Sequence, residues 1–421
     1  MIHRIITLIA EADDQHSELS QTHIGSMPDF KTYHPFYATL AGFCLIGVGL
    51  CLCRYAYTPL IPSMIDAHWV SKPGAGYLGG FNCLGYLMGC IAALSLPRKV
   101  GVRRLMRVSL VLAVAGQAMC AWDLSFNWLA LGRFVTGFAG ASLVIHSPSV
   151  VLQHVSGRLK KMVSGFMFAG AGGTIVFVCL MLPHFLETSV SVGWLFEAGL
   201  TGVAAAIAWP IIGSAATASD QQRVAMPKLQ GDALVALSML GAAYFLAAVS
   251  VTPHTLFLTN YLHERFATST AMSSQLFSLV GVGSLVGAFS SGLLARLLGT
   301  PLTLVANYLL GAISLLLVLL TSSVAIITIS AFMIGFFLLC CVPLTSIRTA
   351  EISGPIRHGR DWGVITLGFG LGLAVGSYGM SALLAFGWTY YHMFTIAQVT
   401  ISLSLVLSAL LLFKRDGTPV S

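Results

Sequence analysis

Charged side chains are scarce in this sequence. Asp, Glu, Lys and Arg make up 9% of the 421 residues, whereas a soluble globular protein carries about 25%. A chain with so few charges cannot cover a water-facing surface of ordinary size, which excludes a soluble globular fold. The net charge of +7 would suggest a nucleic-acid partner in a soluble protein, so here it needs another source.

The motifs of several enzyme classes are also absent. The sequence has no GxxxxGK[ST] phosphate-binding loop, no HExxH metal motif and no pair of catalytic carboxylates, which argues against an enzyme and against an ATP-driven pump made from this chain alone. The nine cysteines lie in apolar runs without the CxxC spacing of a zinc site, and we interpret them as helix-packing residues. We therefore expect no metal and no cofactor.

The chain is instead rich in long apolar runs. Hydrophobic residues make up 56% of it, and the mean hydropathy is +0.85. A helix needs roughly 20 apolar residues to cross the hydrocarbon core, where each backbone polar group must be satisfied within its own segment. The sequence predicts twelve membrane-spanning helices, at 37–63, 74–97, 105–122, 128–152, 162–185, 195–215, 232–258, 271–295, 302–320, 324–346, 362–386 and 392–413.

Basic residues are distributed unequally between the two ends of these spans. Eighteen lie in the tails and connectors of one side and two, Lys72 and Arg265, on the other, while Arg54 and Arg133 lie inside spans. The positive-inside rule then places both termini in the cytoplasm, which explains the net charge without a nucleic-acid partner. The apolar run Ile5–Ala10 is too short for a signal peptide, so we expect residues 1–35 to form a polar cytoplasmic tail.

The chain is a tandem duplication with an offset of 198 residues. Because the offset contains six spans, an even number, the two halves have the same orientation in the membrane. The predicted fold is an all-α membrane protein of two parallel six-helix bundles, divided as tail 1–35, bundle 36–215, linker 216–231, bundle 232–413 and tail 414–421. Glycines matched at this offset indicate close helix packing: Gly85, Gly89 and Gly137 with Gly283, Gly287 and Gly335, and Gly170 and Gly172 with Gly368 and Gly370.

Two motifs in this frame resemble those of the major facilitator superfamily of transporters. The segment 98–104 resembles the basic gating loop between the second and third helices, although Arg98 replaces the usual acidic residue; the matching residues are Arg98, Gly101, Arg103 and Arg104. The segment Arg133-Phe-Val-Thr-Gly137 resembles the RxxxG motif of the fourth helix, which is often seen in proton-linked members.

More narrowly, segments 47–62 and 82–89 resemble the first two helices of the YbfB/YjiJ-type branch. The resemblance implies a monomeric secondary transporter in a bacterial-type inner membrane. Its two bundles would alternate access to a midplane site lined by spans 1, 4, 7 and 10.

Arg54 and Arg133 are the main site candidates. Burial of an arginine in a span costs at least about 2.5 kcal/mol, so such a residue usually faces a wet cavity or a partner. We expect no carboxylate beside them in the membrane, because the acidic residues near the spans are assigned to loops or span edges: Asp66, Asp123, Glu187, Glu197 and Glu264 on the outer side, and Asp232, Glu351 and Asp361 on the inner side. One hypothesis is that both arginines bind an anionic group of the substrate. The alternative is a structural or gating role for at least one of them.

Four further residues complete the candidate substrate site. Tyr55, Tyr57 and Asn82 could hydrogen-bond a substrate or could join helices. His254, beside Pro253 in the seventh span, could carry a proton or could be a buried neutral histidine.

The favoured function is a secondary transporter, symporter or antiporter, of a small solute, with a carboxylate-type anion as the favoured class. A proton-linked exporter of drugs or metabolites is the alternative, and an integral-membrane enzyme or a sensor is less favoured.

Overall fold

The computed structural model describes residues 33–157, 159–214 and 231–412. The predicted tail 414–421, and nearly all of the predicted tail 1–35 and linker 216–231, lie outside these ranges. The described chain forms twelve long helices: α1 (Pro35–Asp66), α2 (Lys72–Ser95), α3 (Val102–Met119), α4 (Phe126–Leu152), α5 (Leu159–Leu186), α6 (Val190–Gly213), α7 (Gly231–Phe266), α8 (Thr270–Leu298), α9 (Thr300–Leu320), α10 (Val324–Gly354), α11 (Ile356–Ala385) and α12 (Tyr390–Leu410).

Eleven of these helices are long and apolar enough to cross a membrane. The remaining one, α3, has three arginines in its first two turns, Arg103, Arg104 and Arg107, which lower its mean hydropathy. The prediction of a twelve-helix membrane fold is confirmed.

One predicted connector, 347–361, is wrong. α10 continues to Gly354, where a single left-handed residue with φ 72° separates it from α11. Ion pairs along the helix, Arg348 with Glu351 at 3.0 Å and Arg357 with Asp361 at 3.0 Å, stabilise these polar ends in helical form. The polar residues mark the end of the apolar run, but the helix continues through them.

The helices alternate in direction, which gives the bundle two sides. We call the side on which α1 begins at Pro35 and α12 ends at Leu410 the proximal side, and the opposite side the distal side. The two connections at residues 67–71 and 267–269 are both distal.

The duplication is visible in the packing itself. An added Cβ at Gly137 would lie 2.0 Å from the carbonyl oxygen of Asn82, and one at Gly335 would lie 2.0 Å from that of Val280. Both members of the second pair are 198 residues after the first. The crossing of α2 with α4 is therefore built a second time by α8 and α10. The connections before α3 and α9 also match, because Gly101 has φ 79° and Gly299 has φ 81°.

The two halves contact each other through α2 with α11 and through α5 with α8. In the second pair, the Ser274 hydroxyl donates to the carbonyl of Cys179 at 2.9 Å. An added Cβ at Gly172 would lie 2.5 Å from the carbonyl oxygen of Gly281, so the two backbones are almost in contact.

Further bonds join the halves near the distal side, between α1 and α7. The Thr58 hydroxyl donates to the carbonyl of Thr255, and the Thr259 hydroxyl donates to the carbonyl of Thr58 at 2.6 Å. Lys72 forms an ion pair with Glu264 at 2.8 Å. Residues 247–262 of α7 are buried throughout, so the space between the halves is closed on this side.

Replacement of Gly137 by alanine tests the glycine contact. The added methyl group must displace the α2 backbone, and overpacking of this kind costs about 1–3 kcal/mol. We expect Gly137→Ala to lower the midpoint of thermal unfolding in detergent. Gly199→Ala in α6 is the control, because nothing lies within 4 Å of its added Cβ. Equal midpoints for the two variants would contradict the close approach.

Candidate functional site

The middle of α1 departs from α-helical geometry. Residues Gly47–Tyr55 form a π-helical segment, and a second one, Pro253–Phe257, lies in the corresponding helix α7. Segments of this kind occur frequently at functional sites. The pair Thr58-Pro59 follows the first segment, and the pair Thr252-Pro253 stands at the start of the second.

Three consecutive carbonyl groups of this segment accept hydrogen bonds from side chains of three different helices. Leu52 accepts from Gln117 of α3, and Cys53 accepts from the Asn82 amide of α2 at 2.8 Å. Arg54 accepts from the guanidinium of Arg133 of α4 at 3.5 Å, the long limit of a hydrogen bond.

Two prolines that follow help to explain this arrangement. Proline has no N–H, so it leaves a carbonyl four or five residues earlier without its helical partner. Pro59 acts in this way on the end of the π-helical segment, and Pro62 acts on Thr58, whose carbonyl accepts from Thr259 instead. Side chains of neighbouring helices thus supply hydrogen bonds to α1 carbonyls at and just after the π-helical segment.

Asn82 has this structural task. It is 1% exposed, and its amide nitrogen lies within 3.0 Å of three acceptors: the carbonyls of Cys53 and Arg133 and the hydroxyl of Thr136. The structure gives it no free donor for a substrate.

Arg54 points to the opposite face of α1. Its guanidinium lies over the rings of Tyr55 at 5.0 Å and Tyr86 at 5.9 Å, and within the described chain it makes no hydrogen bond or ion pair. Between residues 45 and 62, Arg54 and Leu50, one turn away, are the two residues that are not buried. Arg54 therefore borders a space that the helix packing leaves open.

That space lies between the two halves. Tyr86 approaches Gly370 of α11, and Tyr244 of α7 is near enough to Tyr55 and Tyr86 for electrostatic interaction. Tyr244 also stacks on Phe369 of α11 with ring centroids 4.3 Å apart. Aromatic rings of both halves thus lie at this space: Tyr55 and Tyr86 beside Arg54, and Tyr244 near those two tyrosines.

Arg133 lies inside the N-terminal half and is 1% exposed. Its guanidinium lies 4.4 Å from the ring centre of Tyr57 and 5.9 Å from that of Trp194. The Tyr57 hydroxyl is itself bonded to the carbonyl of Ala75 at 2.9 Å. The structure thus places Arg54 and Tyr55 together beside the central space, and Arg133, Tyr57 and Asn82 behind α1.

The expectation that no carboxylate lies beside the arginines is wrong. α6 begins at Val190, capped by the Ser189 hydroxyl, and not at residue 195. Glu197 is consequently two turns inside the helix, 0% exposed, and interacts electrostatically with Arg133. The Ser189 cap was the available signal, since serine before an apolar run is typical of a helix start.

His254 lies in the interior of the C-terminal half, also 0% exposed. Its Nε2 shares a hydrogen bond with the Ser330 hydroxyl at 2.7 Å, and Ser330 in turn bonds Ser314 of α9. At the 198-residue offset, this serine pair replaces Gly116 and Gly132 of the N-terminal half. His254 therefore does not line the space beside Arg54.

The predicted loop and packing residues lie on the proximal side and at helix contacts. Gly101 has a left-handed φ of 79° that favours glycine, and Arg103 and Arg104 are exposed at the start of α3. The Arg98 side chain lies outside the described part of the chain. Gly170 faces α1, since its added Cβ would lie 2.2 Å from the carbonyl oxygen of Phe43.

Comparison with known proteins agrees with this architecture. Residues 46–411 match the family model described as "Uncharacterised MFS-type transporter YbfB". The chain belongs to this family. It is accordingly a multi-pass membrane transporter of the major facilitator superfamily and not an enzyme.

Two relatives illustrate the likeness. The chain is 24% identical over 384 residues to the putative transporter AraJ of Escherichia coli strain K12, a match that covers 87% of this chain and 92% of that one. The crystal structure of a point mutant of the nucleoside transporter NupG superposes with a TM-score of 0.69. That match has 12% identity and covers 90% of this chain and 100% of the other, so it shows a shared fold.

The structural role of Asn82 is testable. Asn82→Ala removes the side-chain donor of the Cys53 carbonyl, whereas the Arg133 carbonyl keeps the Thr136 hydroxyl at 2.9 Å, and a buried acceptor left unpaired costs about 1–3 kcal/mol. We expect a lower thermal midpoint in detergent. Ser95→Ala is the control, because its hydroxyl bonds the carbonyl of Ile91 at an exposed position of the same helix. A loss of ligand binding with unchanged stability would contradict the assignment.

Proposed function

We propose that this transporter moves a small anionic solute, of carboxylate type, by alternating access, and that Arg54 binds the anionic group. The observation that carries the proposal is the Arg54 guanidinium. It is a partly exposed cation between the two halves, with no hydrogen bond or ion pair to the described residues. Such a charge inside a membrane protein favours an anion as its partner.

The guanidinium group and its surroundings specify the ligand further. Arginine presents a planar set of donors that matches a carboxylate in a bidentate manner. The rings of Tyr55 and Tyr86 beside it, with Tyr244 near those two, offer apolar faces to the remainder of the solute. These contacts support an anion with an apolar or ring-containing body over a fully hydrated ion.

The closed distal side supports the alternating-access part of the proposal. A solute that has entered from the proximal side meets Arg54 and is separated from the distal side by the Thr58–Thr255 and Lys72–Glu264 contacts. An exposed ion pair such as the latter contributes only about 0–1 kcal/mol. This ion pair is therefore weak enough to separate when the halves rock.

We also propose that the proximal side faces the cytoplasm of a bacterial-type inner membrane and that the protein acts as a monomer. The distribution of Lys and Arg supports this orientation, and Arg103 and Arg104 are exposed on the proximal side. The monomeric state is the ordinary condition of the superfamily that the sequence resembles.

A second candidate function is a proton-linked exporter of drugs or metabolites. It is favoured by the RxxxG motif and by one observation, the buried carboxyl of Glu197 near Arg133. In this case the substrate need not be anionic, and Arg54 would have no special place in binding.

A thermal-shift screen of the purified protein in detergent separates the two candidates. Ligands that bind only the folded protein raise its stability by about 2.7 kcal/mol at a hundredfold excess over Kd. We expect a shift from carboxylates, lost in Arg54→Gln and partly kept in Arg54→Lys. Arg296→Gln, a change of an exposed arginine at the end of α8, is the control and should keep the shift.

Neutral or cationic compounds test the alternative in the same screen. A shift produced only by them, and unchanged in Arg54→Gln, would refute the anion proposal and favour the exporter.

A further inference from the structure

The carboxyl group of Glu197 is isolated in the interior of the N-terminal half. It is 0% exposed, and neither of its oxygens has a hydrogen-bond partner in the described chain. An ionised carboxylate without donors is strongly disfavoured at such a position. In this conformation the geometry therefore fits the protonated, neutral acid.

Arg133 is the cation that interacts with Glu197 in the described structure. Glu197 and Arg133 each lie seven residues from the distal start of their helices, at Val190 and Phe126, so both are about 10 Å deep from that side. They interact electrostatically, yet no ion pair joins them. The Nε and Nη1 atoms of Arg133 have no acceptor within the described residues. Unpaired donors of Arg133 and unpaired acceptors of Glu197 thus lie in the interior of the same half.

We propose that Glu197 is a proton-binding site of the transport cycle, and that Arg133 pairs with its carboxylate form after the proton has left. In the step, the O–H bond of the acid breaks, both electrons stay on the carboxylate, and the proton passes to water. The freed carboxylate then accepts from the unpaired nitrogens of Arg133. This inference rests on the proposed function only in that the protein is a transporter; it does not require the solute to be an anion.

The other titratable groups around Glu197 come from every helix packed against it. Thiols and phenols have ordinary pKa values above physiological pH, about 8.5 and 10, so Arg133 is the charged group that interacts with the carboxyl in the described structure. The thiols are Cys51 and Cys53 of α1, Cys120 at the end of α3 and Cys179 of α5, and the phenol is Tyr57 of α1, which stacks on Trp194 of α6.

The position of Arg133 links the proton to the substrate site. One nitrogen of its guanidinium bonds the main-chain carbonyl of Arg54, at the long distance of 3.5 Å. A carboxylate at Glu197 that accepts from Nε and Nη1 would draw the guanidinium away from the Arg54 carbonyl, which Nη2 bonds. Loss of the bond would free the main-chain carbonyl of Arg54, the residue whose side chain extends between the two halves. The protonation state of Glu197 is thereby communicated to Arg54 across one helix.

The distal surface has a depression two turns of α6 away from Glu197. A depression of about 430 Å³ opens there between the first and third distal connections, lined among others by Asp66, Trp69 and Val190. Val190 is one turn above Trp194, whose indole N–H is buried and has no acceptor in the described chain. Trp194 in turn precedes Glu197 by one turn on α6.

Infrared difference spectroscopy of the purified protein, titrated with pH in the absence of any solute, tests the proposal. A buried protonated carboxyl group gives a carbonyl band that ionisation removes. We expect such a band at acidic pH, its loss as the pH rises, and its absence in Glu197→Gln. Glu187→Gln, a change of an exposed carboxyl at the distal end of α5, is the control and should keep the band.

Arg133 variants test the pairing. Arg133→Gln removes the charge that stabilises the carboxylate, so the acid band should persist to a higher pH, while Arg133→Lys should restore part of the difference. Should Glu197→Gln fail to fold, Glu197→Asp keeps the carboxyl and should move the band.

A spectrum identical in wild type and Glu197→Gln, or a band that stays constant over the whole pH range of the folded protein, would overturn the proposal. Neither result depends on the thermal-shift screen, so a failure of this proposal can be distinguished from a failure of the anion proposal.

Discussion

The arrangement depends on one constraint, which is that the carbonyl groups in the middle of α1 must find donors inside a membrane. The π-helical segment Gly47–Tyr55 and the prolines after it weaken the helix's own hydrogen bonding. Neighbouring helices supply the donors, and three side chains do so at consecutive carbonyls: Gln117, Asn82 and Arg133. These polar residues would be costly in the bilayer without partners, but here they bond the carbonyls of α1. The same bonds fix α1 against α2, α3 and α4.

This constraint also divides the charges of the N-terminal half between two faces of α1. Arg133 must reach the α1 backbone from behind, so it is buried and lies near Glu197. Arg54 contributes its carbonyl to that contact while its side chain extends between the halves, where Tyr55 and Tyr86 contact it. The C-terminal half repeats the glycine packing but not these charges. Its buried histidine, His254, shares a hydrogen bond with the Ser330 hydroxyl. The chemistry is therefore asymmetric in a symmetric scaffold.

Much of the fold follows from the sequence, because apolar length and glycine spacing are direct consequences of the membrane and of close helix contact. Gly137 and Gly335 were matched by their spacing, and both touch backbone in the structure. The site was less predictable. The sequence predicts that the sixth span begins at residue 195, which puts Glu197 at its outer edge. The helix begins at Val190, and Ser189 marks that start. The task of Asn82 depends on a π-helical segment that no local pattern indicates.

The central claim is that α1 separates a solvent-accessible arginine from a sealed one. Thiol labelling tests it most directly, in a background whose nine native cysteines are replaced by alanine. Arg54→Cys and Arg133→Cys are introduced singly and treated with a small water-soluble maleimide. The account predicts rapid labelling at position 54 and almost none at position 133 until the protein is denatured. Equal labelling of the two positions in the folded protein would contradict it.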